Sequence, residues 1–217
     1  MIQGVIFDLD GVLVRTDELH YRAWKRLADR EGIYFDRNIN HRLRGVSRMD
    51  SLEIILARAK RGYSDAEKAY LAEQKNRWYR ELLADLAPGD LLPGARAMLR
   101  ALRERDVRTA IASASKNAKT IIERAGLVGW VDAVVDGHDF ERSKPDPEVY
   151  ALAADRLGLP PAACLVVEDA AAGIEAGRRA GMAVFGVGPA ARLPTVARGA
   201  ETLAEVTPEG LLAAGGG

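Results

Sequence analysis

Val5-Ile6-Phe7-Asp8-Leu9-Asp10-Gly11 is an apolar run that stops on two acids one residue apart and then on a glycine. A short run rich in Val, Ile and Phe that ends in turn residues predicts a buried strand over 5–9. Gly11 allows the backbone to leave that strand sharply. If the strand continued, Asp8 and Asp10 would share one face of it. Similar runs recur at 107–112, 131–135, 165–167 and 183–187. Between them lie helical stripes at Ala95, Met98, Leu99 and Leu102, at Ile121, Ile122 and Ala125, and at Val149, Ala153 and Leu157.

This alternation predicts an α/β fold, a Rossmann-like parallel sheet covered on both faces, with ligands gathered beyond the carboxyl ends of its strands. Residues 15–87 break the alternation. Leu52, Ile55, Leu56 and Ala59, and then Leu71, Trp78, Leu82 and Leu86, read as consecutive helices with no strand between them. The expected organisation is a core of residues 1–14 and 88–217 with a helical cap inserted at 15–87. Pro88-Gly89 and Pro93-Gly94 mark the return to the sheet, and the tail Ala213-Ala214-Gly215-Gly216-Gly217 is expected to fray.

The 217 residues are enough for one substantial core plus a dependent insertion. With 48% hydrophobic and 29% charged residues the chain reads as globular rather than disordered. Lys plus Arg total 31 and Asp plus Glu total 31, which gives no overall pull towards nucleic acid or an anionic membrane. No run approaches a membrane span and the first residues carry no basic leader, so a cytoplasmic protein is expected, acting as a monomer on a small molecule. Cys164, the single cysteine, lies in an apolar run and is expected to be a buried small hydrophobe.

Phosphoryl transfer calls for positioning and charge neutralisation, and a carboxylate can also accept the phosphoryl group covalently. Asp8 is the candidate nucleophile. Asp10 is the candidate acid and base, on condition that its surroundings raise its pKa towards neutrality. Val166-Val167-Glu168-Asp169 ends a second apolar strand on acids, and magnesium favours a few carboxylates completed by water and substrate oxygens. Asp8 and Asp169 are the expected ligands, with Glu168 nearby or acting through water. Lys144, in Ser143-Lys144-Pro145, offers a cation for Asp8 and a phosphate. Ser113-Ala114-Ser115-Lys116-Asn117 ends a strand just before a helix, a turn suited to presenting N–H groups to an anion, although Ser115 would serve equally as a helix cap.

Asp8-Leu9-Asp10-Gly11, Ser113, Lys144 and Glu168-Asp169, in this order and spacing, resemble the four motifs of the haloacid dehalogenase superfamily of phosphotransferases. The presence of Asp10 argues against its dehalogenases. Tyr21-Arg22-Ala23-Trp24, Arg44-Gly45-Val46-Ser47-Arg48-Met49-Asp50-Ser51-Leu52, Lys75-Asn76 and Ser113 to Asn117 are similar, more narrowly, to the beta-phosphoglucomutase family. That resemblance implies interconversion of beta-D-glucose 1-phosphate and glucose 6-phosphate through an aspartyl phosphate and beta-glucose 1,6-bisphosphate, with magnesium held by Asp8, the Asp10 backbone carbonyl, Glu168 and Asp169. It assigns a distal phosphate to Arg48 with Ser115, Lys116 and Asn117, sugar contacts to Gly45, Val46, Ser47, Ser51 and Lys75, and phosphate binding to Ser113 and Ala114. Thr16 and His20 it places near Asp10. Lys75 lies on an apolar helical stripe, which fits a role in the site or a snorkelling stem. A phosphatase of sugar phosphates, or a silent module on the same scaffold, remains open.

Overall fold

The opening run forms β1 (Gly4–Phe7), with all four residues buried. In the computed structural model, which describes residues 1–215, β1 lies at the centre of a parallel sheet. Its neighbours are β2 (Arg108–Ala112) and β4 (Cys164–Glu168), flanked by β3 (Ala133–Val135) and β5 (Ala183–Val187). A two-residue β6 (Gly199–Ala200), which no apolar run announces, completes the order β3-β2-β1-β4-β5-β6. The expected Rossmann-like sheet is therefore present. Phe7 pairs with both Ile111 and Val167, so Asp8, Ser113 and Glu168-Asp169 all emerge at one edge.

The sheet buries both faces by alternation. Val5, Phe7, Ile111, Leu165 and Val167 pack on one side, and Ile6, Ala110, Ala112, Cys164 and Val166 on the other. Cys164 is buried and free. The first of these layers runs on through Leu9, Val12 and Leu13 into Trp24, Leu27, Leu52, Ile55 and Leu83, so the inserted helices share an apolar interior with the sheet.

Those helices are α1 (Asp17–Arg30), α2 (Arg37–His41), α3 (Arg48–Leu56) and α4 (Asp65–Leu83). Ser64 and Glu67 close a capping box at the start of α4, which satisfies backbone donors at its exposed end. Leu71, Trp78 and Leu83 are buried on α4, whereas Leu82 is half-buried and Leu86 lies beyond the helix. Ala59 likewise falls past the end of α3. Back in the core, α5 (Ala95–Arg103), α6 (Ala118–Arg124), α7 (Glu148–Leu157) and α8 (Ala171–Arg179) cover the sheet, and α9 (Pro208–Leu212) follows β6. Instead of fraying, Ala213–Gly215 forms a 3-10 turn, with Ala214 packed on the core; residues 216 and 217 lie outside the described residues. Among the described residues no helix is long and apolar enough to cross a membrane.

The first strand ends earlier than expected. Asp8 N still donates to Val167 O at 3.0 Å, but Leu13 N and Val14 N both turn back to Leu9 O, and Gly11 adopts φ 88°. A side chain on Gly11 would strike the Asp169 carboxylate. Asp8 and Asp10 are thus placed by a tight loop, not by the pleat of a continuing strand.

Gly173 lies inside α8 where any Cβ would overlap the Glu168 carboxylate. At an exposed helical position Gly→Ala stabilises by about 1 kcal/mol. Here Gly173→Ala is expected to lower the melting temperature, because the methyl displaces a buried charged group; thermal unfolding of the two proteins checks the sign.

Candidate active site

Lys144 is 2% exposed, and its ammonium is the hub of the site. It donates to Asp8 Oδ1 at 2.6 Å, to Glu168 Oε1 at 2.8 Å and to Ala112 O at 3.4 Å. Burial acts to lower its pKa, but Asp8 and Glu168 outweigh that and hold it well above the ordinary lysine value. Burial is also the largest influence on Asp8 and pushes its carboxyl up, with Glu168, Asp10 and Asp169 adding to the effect and Lys144 opposing it.

Glu168, expected to bear on magnesium directly or through water, is fully buried. Tyr150 donates to Oε1 at 2.9 Å beside Lys144, and the backbone amides of Asp169 and Ala170 donate to Oε2 at 2.7 and 2.8 Å. Both oxygens are therefore spent on fixing the carboxylate that anchors Lys144. Tyr150 had no signal beyond its place on an apolar helix.

Asp169 is 4% exposed and receives Arg44 Nη1 on Oδ2 at 2.5 Å, while Arg44 Nη2 reaches Asp17 at 3.3 Å. Burial and the nearby Glu168 push the Asp169 carboxyl up to about 7, against the pull of Arg44 and Lys144. Arg44 is a functional residue that the sequence reading missed. Its only signal was its place directly before Gly45 in the cap loop.

The acids fit a magnesium ion. Among the described residues Asp8, Asp10, Glu168 and Asp169 meet only Lys144 and Arg44 as close cations of full charge, leaving excess negative charge in a buried place. Among the described residues no three or more His, Cys, Asp or Glu side chains form a ready cage. Magnesium does not need one, since it keeps waters and substrate oxygens around one or two carboxylates. Asp8 and Asp169 each have one oxygen taken by a cation and one without a donor among the described residues, and both residues line the cleft.

Asp10 reverses an expectation. Burial would raise its pKa, but His20, Thr16 and Ser113 together outweigh burial and lower it. Thr16 donates to Oδ1, Ser113 Oγ reaches Oδ2 at 3.3 Å, and His20 Nε2 lies 3.7 Å from Oδ1. The physical cause is the number of donors that the anion collects where the chain enters the cap. Thr16 stands at the N-cap of α1 and makes no side-chain cap bond; its hydroxyl donates to Asp10.

Lys75 does not snorkel. It is 3% exposed, with its amine 3.1 Å from His20 Nδ1 and over the rings of Trp24 and Tyr79 at 4.6 and 4.5 Å. Burial, helped by Arg48, lowers its pKa to about 7. The pKa of His20 is itself lowered by burial and by Lys75, and its ring lies against Tyr79 with centroids 4.1 Å apart and planes tilted by 36°. Lys75, His20 and Asp10 form a relay from cap to core.

A cleft of about 1130 Å³ separates the cap from the sheet edge. Gly45, Val46, Ser47, Arg48, Ser51, Lys75 and His20 line its cap wall, and Asp8, Asp10, Lys144 and Asp169 lie on the core wall with Ala114, Ser115, Lys116 and Asn117. Thr16, Ser113 and Glu168 are not among the lining residues and act from behind them. Ser47 caps α3, accepting from Asp50 N at 3.2 Å. Ser115 is not a helix cap. That position belongs to Asn117, and Ser115 instead accepts from Asn117 N at 3.1 Å within the turn. Asn117 Nδ2 donates to Asn76 Oδ1 at 3.0 Å, so this bond and the Arg44–Asp169 pair close the cap onto the core.

A parallel sheet with two acids at its central strand, a buried lysine and a second acidic strand end defines a phosphoryl-transfer centre. Residues 2–181 match the haloacid dehalogenase-like hydrolase family, and the chain belongs to it. It is 44% identical over 189 residues to a beta-phosphoglucomutase of Bacillus subtilis, covering 86% of this chain and 84% of that protein. It is 30% identical over 190 residues to a phosphorylated carbohydrates phosphatase of Thermotoga maritima, covering 86% and 85%. The crystal structure of a beta-phosphoglucomutase from Clostridium difficile superposes with a TM-score of 0.94 at 34% identity, over 100% of this chain and 98% of that one.

Removing the charge of Glu168 while keeping its shape tests the hub. Glu168→Gln leaves Lys144 with one anionic partner in a buried place, and breaking such a pair costs about 3–5 kcal/mol. Chemical denaturation is expected to show a loss of that order; a change under about 1 kcal/mol would mean that Glu168 does not hold Lys144 in solution.

Proposed function

We propose that this protein is a beta-phosphoglucomutase, interconverting beta-D-glucose 1-phosphate and glucose 6-phosphate through an aspartyl phosphate on Asp8 and beta-glucose 1,6-bisphosphate. One observation carries this reading beyond phosphoryl transfer in general. The cleft that holds Asp8 and Lys144 is also lined by Arg48, Lys116 and Asn117, so it offers a place for a second phosphate. A phosphatase requires only the first. The likeness to the Bacillus and Clostridium mutases supports the choice.

In the proposed cycle the enzyme begins with Asp8 phosphorylated. The acceptor hydroxyl of the sugar phosphate attacks the phosphorus and loses its proton to Asp10, and the acyl phosphate bond breaks to give the bisphosphate. The bisphosphate turns end for end. The Asp8 carboxylate then attacks the other phosphorus, and the departing sugar oxygen takes the proton back from Asp10. A base that starts as an anion suits the lowered pKa of Asp10. Lys144 offsets charge on Asp8 and on the phosphoryl oxygens. Asp8, the Asp10 backbone carbonyl and Asp169 would hold magnesium, which when bound supplies positive charge to the phosphoryl oxygens. Thr16, His20 and Lys75 keep Asp10 oriented as the cap closes. We place this protein in the cytoplasm as a monomer acting on small sugar phosphates.

With magnesium and a trace of bisphosphate, the purified protein should convert beta-glucose 1-phosphate to glucose 6-phosphate far faster than it releases inorganic phosphate. Dominant phosphate release would favour the phosphatase reading instead. Asp8→Asn is expected to abolish turnover, because an amide is too weak a nucleophile to form the acyl phosphate. Arg48→Ala should reduce kcat/KM at least tenfold for the sugar phosphate while leaving slow, Asp8-dependent hydrolysis of acetyl phosphate within about twofold. Equal losses on both would remove Arg48 from the distal phosphate.

A further inference from the structure

Arg48 is the first residue of α3, and its guanidinium makes no hydrogen bond to any described protein group. Its one ionic partner among the described residues is Glu73 of α4, with Nη1 3.7 Å from Oε2. That distance is too long for a hydrogen bond, so the pair is held by charge without a directional tie. The Glu73 side chain is 67% exposed, while that of Arg48 is 24% exposed. Both residues line the cleft. Glu73 therefore puts an exposed carboxylate where an incoming anion would meet Arg48.

We propose that Glu73 is the resting counter-ion of Arg48, trading places with the distal phosphate and so weakening the grip of the cleft on phosphorylated ligands. This rests on the reading of Arg48 as the distal-phosphate residue. A bisphosphate formed at one end must turn before Asp8 can take its other phosphoryl group, so the bond to Arg48 is broken once in every cycle. A guanidinium left bare in a half-buried wall raises the cost of that step, and Glu73 lowers it by supplying a replacement anion. Glu73 reaches Arg48 from α4, two residues before Lys75, and its exposure leaves room to swing towards solvent when phosphate arrives.

The test is calorimetric titration of the metal-free protein with inorganic phosphate. Without magnesium the cluster of Asp8, Asp10, Glu168 and Asp169 repels the anion, so the titration reads the cationic end of the cleft. Four proteins are compared: the unaltered chain, Glu73→Gln, Arg48→Ala and the double variant. Glu73→Gln should bind phosphate about threefold to fivefold more tightly at low salt, the upper part of the range for an exposed ion pair, with the gain fading at 0.5 M salt. The gain should vanish in the Arg48→Ala background. If Arg48→Ala weakens phosphate binding but Glu73→Gln does not tighten it, the role of Glu73 is overturned and Arg48 keeps its own. If the gain persists without Arg48, Glu73 acts on another cation and the proposal fails. If Arg48→Ala leaves phosphate binding unchanged, the reading of Arg48 falls, and this inference with it.

Discussion

A lysine ammonium with no access to water is expensive to keep charged, and here it stays charged because two carboxylates come to it. Desolvating each ion costs several kcal/mol, which is repaid only when geometry is good and the remaining lone pairs are satisfied. Lys144 meets that condition through Asp8 and Glu168, and Glu168 through Tyr150 and two backbone amides. The arrangement requires β1 and β4 to be neighbours in register and α8 to approach closely enough that Gly173 can carry no side chain. Strand order, helix packing and site chemistry are thus tied to one ammonium group.

The cap is joined to this centre by chemistry as well as by packing. Thr16, at the start of the first cap helix, donates to Asp10, and Lys75 approaches the same acid through His20. Arg44 comes from a cap loop yet pairs with Asp169 of the core. Opening the cleft would therefore disturb both Asp10 and the acid suited to magnesium. Conversely, charge brought by substrate or metal at those acids bears on how firmly the cap stays closed, since linkage between two equilibria runs in both directions.

Asp10 shows how far residue identity can mislead about proton affinity. An acid at a buried strand end invites the expectation of a raised pKa, yet three donors, two from the cap entry and one from the core, give the opposite result. Lys75 shows the converse. Its place on an apolar stripe left two readings level, and only the positions of His20, Trp24 and Tyr79 around its amine decide between them.

The strands and most helices were legible because apolar periodicity reflects burial directly, as Val5, Ile6 and Phe7 or Ala95, Met98, Leu99 and Leu102 make plain. The acids and Lys144 were legible because carboxylates at the ends of apolar strands have few uses. Helix α8 was not, since its Ala-Gly composition hides the stripe and its glycines answer to close contacts from distant residues. Nor were Arg44, Tyr150 or the full engagement of Glu168, whose partners lie far away in the chain. Sequence alone thus determined the layers of the fold and singled out the candidate reacting groups, which follow from local pattern and residue chemistry. Tertiary structure alone decided which oxygen each cation takes, which acid is held anionic and which cap residues meet the core, because those depend on distances between elements that no spacing along the chain records.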